Sequence, residues 1–408
     1  MKCRNCAHER FIPFADLGSS PPSNSYLSDE KASGPEVWYP LRVTVCINCW
    51  LVQTEDFAKR DEFFSDDYAY FSSFSTSWLA HAERYVNAMA DRFKLGSESL
   101  VVEVASNDGY LLQYAAARGI GTLGVEPTEN TAEAARAKGI DVVSEFFGVE
   151  LAKALVAQGK SADLSAANNV LAHVPDINDF IAGFAILLKP NGVATFEFPH
   201  LLKLVEENQF DTIYHEHYSY LSLTSVESMM RSNGLRIFDV EQLPTHGGSL
   251  RVYATPMANE THAEMPAVAE LLAQEEVAGI KSVDFYSQLQ LEAERIADEL
   301  THFLLQARKD GKSVCGYGAA AKGNTLINFA GIKPRLLPWI VDRNPAKQGR
   351  LAPGSRIPIV EEEIIRRERP DYVVILPWNL REEVAEQLSY VREWGGKFVT
   401  AIPHLTIQ

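Results

Sequence analysis

No run of eighteen apolar residues occurs anywhere in this 408-residue chain, so no membrane-spanning helix is expected. The opening residues, Met1-Lys-Cys-Arg-Asn-Cys, lack the apolar core of a signal peptide, and the chain is expected to remain cytoplasmic. Basic residues are in deficit, with a formal net charge of −16. A nucleic-acid partner needs a basic surface to neutralise phosphates, so that class is excluded. A small anionic ligand in a local basic pocket is not. Cysteine is scarce, five in all, yet four of the five fall in two tight pairs, Cys3-x2-Cys6 and Cys46-x2-Cys49. In a reducing compartment such pairs read as a four-thiolate zinc site rather than as disulfides. Four thiolates fill the tetrahedral shell, so the metal is structural. Cys315 stands alone in an apolar strand and reads as a small buried hydrophobe.

Apolar content of 46% supplies a large core, and the length allows two or three domains. The GxGxxG fingerprint of dinucleotide binders is absent from the first crossover. What stands there is VVEVASNDGYLLQ, Val101 to Gln113. An apolar strand ends in Glu103, a turn of small residues contains Ser106, Asn107 and Gly109, and a helical pattern follows. Small residues let a ligand lie against the backbone. A second strand ends at Glu126, about twenty residues on, where a carboxylate can accept ribose hydroxyls. A third carries Phe146 and Phe147 at its end, rings able to cover an adenine. A fourth ends at Asn168, and Leu188 to Gly192 turns into a fifth. The strands from Arg236 and Gly248 read as an antiparallel hairpin at the sheet edge. Residues 257–310 have helical periodicity and few breakers, with a long second helix near Ser287 to Lys309 suited to bridging domains. At Ser313 a second α/β unit begins, with the glycine turn Gly316-Tyr-Gly318 opening a helix. Helix N-termini hold phosphate, with Lys322 and Arg251 as cationic candidates; a solvated surface charge is an equal reading of Arg251 and a weaker one of Lys322.

The densest reactive stretch is Tyr214-His215-Glu216-His217-Tyr218-Ser-Tyr220. It supplies a base and hydrogen-bond donors after strand five, on the side where doubly wound sheets bind ligands. The HExxH pattern of zinc proteases is absent, because His215 and His217 have the wrong spacing to share one helical face. The segment Phe63 to Trp78 is crowded with Tyr, Phe and Ser. It reads either as aromatics packed on the core at a helix start or as a lid bringing phenols over a substrate. A helix is expected from Ser77 to about Phe93.

The strand series resembles the class I S-adenosylmethionine-dependent methyltransferases. With the two knuckles, the SNDG turn, the Tyr-x-Glu-His segment, His246-Gly-Gly-Ser-Leu-Arg251 and Gly316-Tyr-Gly-Ala-Ala-Ala-Lys322 in one order, the whole chain is similar to the sugar C-methyltransferases of deoxysugar biosynthesis. The resemblance implies an α/β protein of three parts. These are a zinc-binding module (1–60), a Rossmann-like methyltransferase domain (61–256) joined by a helical connector (257–310), and a second Rossmann-like domain (311–408) that helps bind a nucleotide sugar. It implies S-adenosylmethionine as cofactor, held by Glu103, Ser106, Asn107, Gly109, Glu126, Phe146 and Asn168. The implied substrate is a nucleotide-linked 4-keto deoxysugar, typically on thymidine diphosphate, methylated at the carbon beside the ketone. His217 is the implied base, with Tyr214 and Glu216 orienting it or the sugar. His173 would donate to the growing oxyanion, and Tyr68 or Tyr70 would close the site. Arg350, in the stretch Asp342 to Arg350, matches a family segment near the sugar nucleotide. Transfer to oxygen or nitrogen of a related small molecule is the alternative. A monomer or small homo-oligomer is expected.

Overall fold

The computed structural model describes residues 1–57 and 71–408. Tyr68 and Tyr70 lie outside them. Strands are numbered along the chain. In the N-terminal sheet β1 (Phe11–Ser20), β2 (Tyr39–Cys46) and β3 (Val52–Thr54) pair antiparallel in that order. Along β2 the alternation is clean: Leu41, Val43 and Val45 are buried and Arg42 is exposed, the period of a half-buried strand.

The central sheet holds seven strands. Its members are β4 (Leu100–Val104), β5 (Gly121–Val125), β6 (Val142–Val143), β7 (Ala162–Asn168), β8 (Leu188–Pro199) and, beyond the two-residue β9 (Ser219–Tyr220), β10 (Leu235–Leu243) and β11 (Ser249–Pro256). The order is β10-β11-β8-β7-β4-β5-β6. All run parallel except β11, which is antiparallel to both neighbours. Alternate residues of β4 feed two cores. Val101 meets Trp78, Tyr85 and Leu111 on one face, while Val102 and Val104 join Phe180, Phe184 and Met229 on the other. Burial on both faces is why these strands are apolar almost throughout. The helix Thr76–Phe93 starts where expected, with Ser75 capping the Trp78 amide, and ends in left-handed Lys94. The β10–β11 hairpin forms as expected, but its second strand is the inner one, inserted between β8 and β10.

The C-terminal sheet contains β12 (Val314–Tyr317), β13 (Ile340–Val341), β14 (Ile359–Val360), β15 (Tyr372–Ile375), β16 (Lys397–Thr400) and β17 (Thr406–Ile407). Its order is β14-β13-β12-β15-β16-β17, parallel except for β17. Cys315 is fully buried there. The helix Leu289–Lys309 joins the outer sheets, because Leu289, Ala293, Ile296, Leu300 and Leu304 share one core with Phe14 and Val43 of the first sheet and Ile340 of the third. The strand β9 belongs to neither α/β sheet. It pairs antiparallel with β3, Val52 opposite Tyr220, as the fourth strand of the N-terminal sheet. Among the described residues no helix is long and apolar enough to cross a membrane.

Candidate active site and cysteine cluster

Both cysteine knuckles close the same way. The Ala7 amide donates to the Cys3 carbonyl and the Trp50 amide to the Cys46 carbonyl, each at 2.9 Å. Ala7 and Trp50 both take positive φ, 57° and 60°. The turns bring the four sulfurs within 4.8 Å of one another, with Cys3–Cys49 at 3.5 Å and Cys6–Cys46 at 3.6 Å. A tetrahedron of about 2.3 Å zinc–sulfur bonds has edges of about 3.8 Å. A disulfide would need about 2.05 Å, so the thiolate set fits a metal.

At the end of β4 the backbone turns sharply, with positive φ at Ala105, Asn107 and Gly109. A Cβ on Gly109 would press on Ala135 at 3.2 Å as well as face a φ of +74°. The turn is pinned by Glu126, whose carboxylate accepts from the Asn107 amide at 2.9 Å, the Thr128 amide at 2.9 Å and the Thr128 hydroxyl. Burial raises the Glu126 carboxyl, and these donors pull it back. Around this turn lie buried polar atoms without hydrogen-bond partners among the described residues: both oxygens of Glu103, Ser106 Oγ, Asp108 Oδ1 and both amide atoms of Asn168. Burial pushes Glu103 well above the usual carboxyl range, with Tyr110 beside it as the opposing influence. Unsatisfied buried polar groups are rare in folded chains. Clustered at the carboxyl ends of β4 and β7, they make a cradle for a polar ligand. Phe146 is half exposed just past β6, whereas Phe147 is buried against Phe180 and Phe184. Of the two rings, Phe146 is the more exposed.

The histidine segment lies beyond β8. His217 Nδ1 donates to the Thr212 carbonyl at 2.8 Å, and His173 Nδ1 donates to the Glu216 carbonyl at 2.8 Å. A carbonyl only accepts, so each Nδ1 carries the proton and each Nε2 keeps its lone pair. The two rings are 4.6 Å apart, and the Tyr214 ring covers His217 at 3.9 Å. Burial, then the neighbouring His173, holds His217 well below the usual imidazole range. Burial takes His173 down to about 4. Both are therefore neutral near pH 7. His173 in this tautomer has no Nε2–H to offer, so it presents an acceptor where a donor to an oxyanion was expected. Glu216 is buried, its carboxyl raised by desolvation and its Oε1 accepting from Asn24 at 3.3 Å.

Arg251, Gly316, Gly318 and Arg350 are further candidates from the sequence. Arg251 is not a surface charge: it faces Glu197 across β11 and β8 and pairs with it at 2.8 Å, both buried. His81 joins the same Glu197 oxygen at 2.9 Å. The turn at Gly316 and Gly318 forms, but the Ala319 amide at the helix entry donates to Asp342 at 2.8 Å, an internal carboxylate in the place proposed for phosphate. Lys347 reaches the Ala319 carbonyl at 2.9 Å, and Arg350 is half-buried in the same loop. Lys322, by contrast, lies near the histidines. It bonds Asn379 at 2.7 Å and rides 4.8 Å above the Trp378 ring, and its charge helps depress both His217 and His246. Sequence reasoning missed Asp211 and Trp378, and it quoted His246 without a role. Asp211 is fully buried beside the His217 turn, and His246 takes φ 56° with Nε2 accepting from Asn169 at 3.1 Å.

Three family models match the chain in sequence: "Putative zinc binding domain" over residues 3–64, "Methyltransferase domain" over 78–240, and "C-methyltransferase C-terminal domain" over 244–403. The chain is 36% identical over 402 residues to the C-methyltransferase NovU of Streptomyces niveus, covering 98% of this chain and 95% of that one. Among solved structures, the magnesium protoporphyrin IX methyltransferase of Synechocystis PCC 6803 with bound S-adenosylmethionine has a TM-score of 0.36 at 14% identity. It matches over 50% of this chain and 100% of its own. The CcbJ methyltransferase of Streptomyces caelestis has a TM-score of 0.34 at 13% identity, over 43% and 89%.

Proposed function

The chain belongs to the C-methyltransferase family, an S-adenosylmethionine-dependent methyltransferase with a structural zinc site. On that premise we propose that it methylates the carbon beside the ketone of a 4-keto deoxysugar carried on a nucleotide, typically thymidine diphosphate, in the cytoplasm. The observation that carries this reading is the buried pair of neutral imidazoles, His217 and His173, in a methyltransferase fold. A carbon acid beside a ketone is far weaker than an imidazolium. It yields its proton only to a base already desolvated and aimed, with the enolate oxygen stabilised as it forms.

His217 is that base. Its Nδ1–H is fixed on the Thr212 carbonyl, which leaves Nε2 to take the proton. His173 fastens the Glu216 backbone and so orders the segment that carries the base. With His173 an acceptor, the donor to the growing oxyanion is a phenol, and Tyr214, whose ring lies 3.9 Å from that of His217, is the residue assigned here. Lys322 adds positive potential for an anionic sugar nucleotide. Glu103, Ser106, Asn168 and the turn at Asn107 and Gly109 hold the cofactor, with Phe146 against its base. S-adenosylmethionine supplies an electrophilic methyl group, and binding aligns the acceptor carbon with it.

The test is to incubate the protein with S-adenosylmethionine and thymidine-diphosphate 4-keto-6-deoxyglucose and to locate the new methyl by NMR. A quaternary or tertiary carbon signal at position 3 is expected. A methyl on oxygen, or none with cofactor bound, would contradict the proposal.

A further inference from the structure

We propose that Trp378, from the C-terminal α/β unit, is a positioning residue for His217: it fixes the turn Phe210–Thr212, whose last carbonyl holds the imidazole Nδ1–H. The proposal rests on His217 being the base. The turn is a single helical turn of three residues, too short to hold its own geometry. Its tertiary anchors come from the C-terminal unit. Trp378 Nε1 donates to Asp211 Oδ2 at 2.9 Å. Thr325 Oγ1 donates to the Ile213 carbonyl at 2.9 Å. The Phe210 ring packs on Phe329 at 5.5 Å. Between the first two anchors lies Thr212, whose carbonyl accepts from His217 at 2.8 Å.

Asp211 is fully buried, and a buried carboxyl without a partner is costly. Desolvation lifts it to about 7, with Lys322 and the Trp378 N–H pulling it down. The indole thus supplies a donor to one oxygen of this buried carboxyl, Oδ2. Trp378 follows β15, at the carboxyl end of the sheet, and braces a second loop as well. Gly247, at φ +91°, lies so close that a Cβ there would strike the ring. The neighbouring residue in that loop, His246, takes a left-handed conformation, φ 56°. One side chain of the C-terminal unit therefore touches both loops, that of Asp211 and that of Gly247. If these contacts are lost, the Thr212 carbonyl drifts, the His217 tautomer is no longer imposed, and the base is misplaced. A displacement of about 1 Å of this kind can cost about a hundredfold in rate.

The experiment uses the full-length, zinc-loaded protein with 15N-labelled histidine. Long-range proton–nitrogen NMR reads ring tautomers, and the His217 signals are identified by their loss in His217→Asn. The parent should show the Nδ1–H form. Trp378→Phe keeps the ring face and removes the N–H. It should mix the His217 tautomers and lower turnover of thymidine-diphosphate 4-keto-6-deoxyglucose by about a hundredfold, with the cofactor dissociation constant within about twofold. An unchanged His217 tautomer would overturn the positioning role, whatever the turnover. A changed tautomer with unchanged turnover would uphold the positioning and remove His217 as the base. Should Trp378→Phe fail to fold, Asp211→Ala removes the same bond from the other side, and Asp211→Asn, which still accepts, should shift the tautomer less. Asp211→Ala with the parent's His217 spectrum would likewise overturn the proposal.

Discussion

In the proposed reaction a histidine must deprotonate carbon and gains from being dry and neutral; His217 is buried, with its pKa held low. Its depressed pKa sets a sign: the base is active when unprotonated, so lowering its pKa extends activity toward acid. The acid limb of the rate profile should fall below the ordinary histidine range of about 6.5; a limb at or above that value would show a solvated base. Replacing the imidazole, His217→Asn, should cost about a hundredfold to ten-thousandfold in turnover and leave cofactor affinity unchanged in a calorimetric titration. His173 gives a stability prediction. Its folded pKa of about 4 means that between about pH 6.5 and pH 4 the unfolded chain binds a proton the folded chain refuses. Stability from this group is present above about pH 6.5 and lost as pH falls toward 4. His173→Asn removes that penalty, so denaturant melts should show the variant gaining on the parent as pH drops from 7 to 4.5. At the cofactor turn, Glu126→Ala strands two amides and a hydroxyl. It should weaken S-adenosylmethionine binding and lower stability, each lost hydrogen bond being worth about 0.5–1.5 kcal/mol net. An unchanged cofactor dissociation constant would remove Glu126 from the cofactor set.

At the scale of elements, β9 matters most. The two residues after Tyr218 complete the N-terminal sheet, and Thr54 Oγ1 donates to the His217 carbonyl at 3.2 Å. The cysteine-bearing sheet thus packs directly against the 214–220 segment. Zinc removal by a chelator, or Cys3→Ser, should lower the melting temperature and loosen the 214–220 segment. Faster amide exchange at Ser219 and Tyr220 would register this; exchange unchanged in zinc-free protein would contradict the coupling. Neither β9 nor its pairing was legible in the sequence, because two residues show no periodicity. The long elements were legible. The knuckles, the strand ends at Glu103 and Glu126, and the helix from Thr76 announce themselves through spacing and apolar stripes. The burial of Arg251 was not legible, for a physical reason. The charges in FEF and LRV occupy inward positions of buried strands, and only the register, which puts Arg251 opposite Glu197, reveals that each is the other's partner. A buried carboxylate in an apolar strand demands such a partner, and that demand was the available signal.

Across the whole molecule, three units converge on residues 210–220. The N-terminal sheet contributes Asn24, Thr54 and β3, the C-terminal unit Trp378 and Thr325, and the central fold His173. The N-terminal and C-terminal units also meet directly, through Tyr26 to the Ala319 carbonyl at 2.6 Å and Asn324 to the Ser23 carbonyl at 2.8 Å. Motif order in the sequence implied three parts but not that they meet at one segment, since contacts between residues about 300 apart leave no local pattern. The most direct test of the whole is mass spectrometry after incubation with thymidine-diphosphate 4-keto-6-deoxyglucose in deuterated water. Deuterium uptake beside the ketone that vanishes in His217→Asn, together with a fourteen-dalton methyl gain when S-adenosylmethionine is added, is the predicted result. Methyl gain without dependence on His217, or neither change with cofactor bound, would contradict the enolate route.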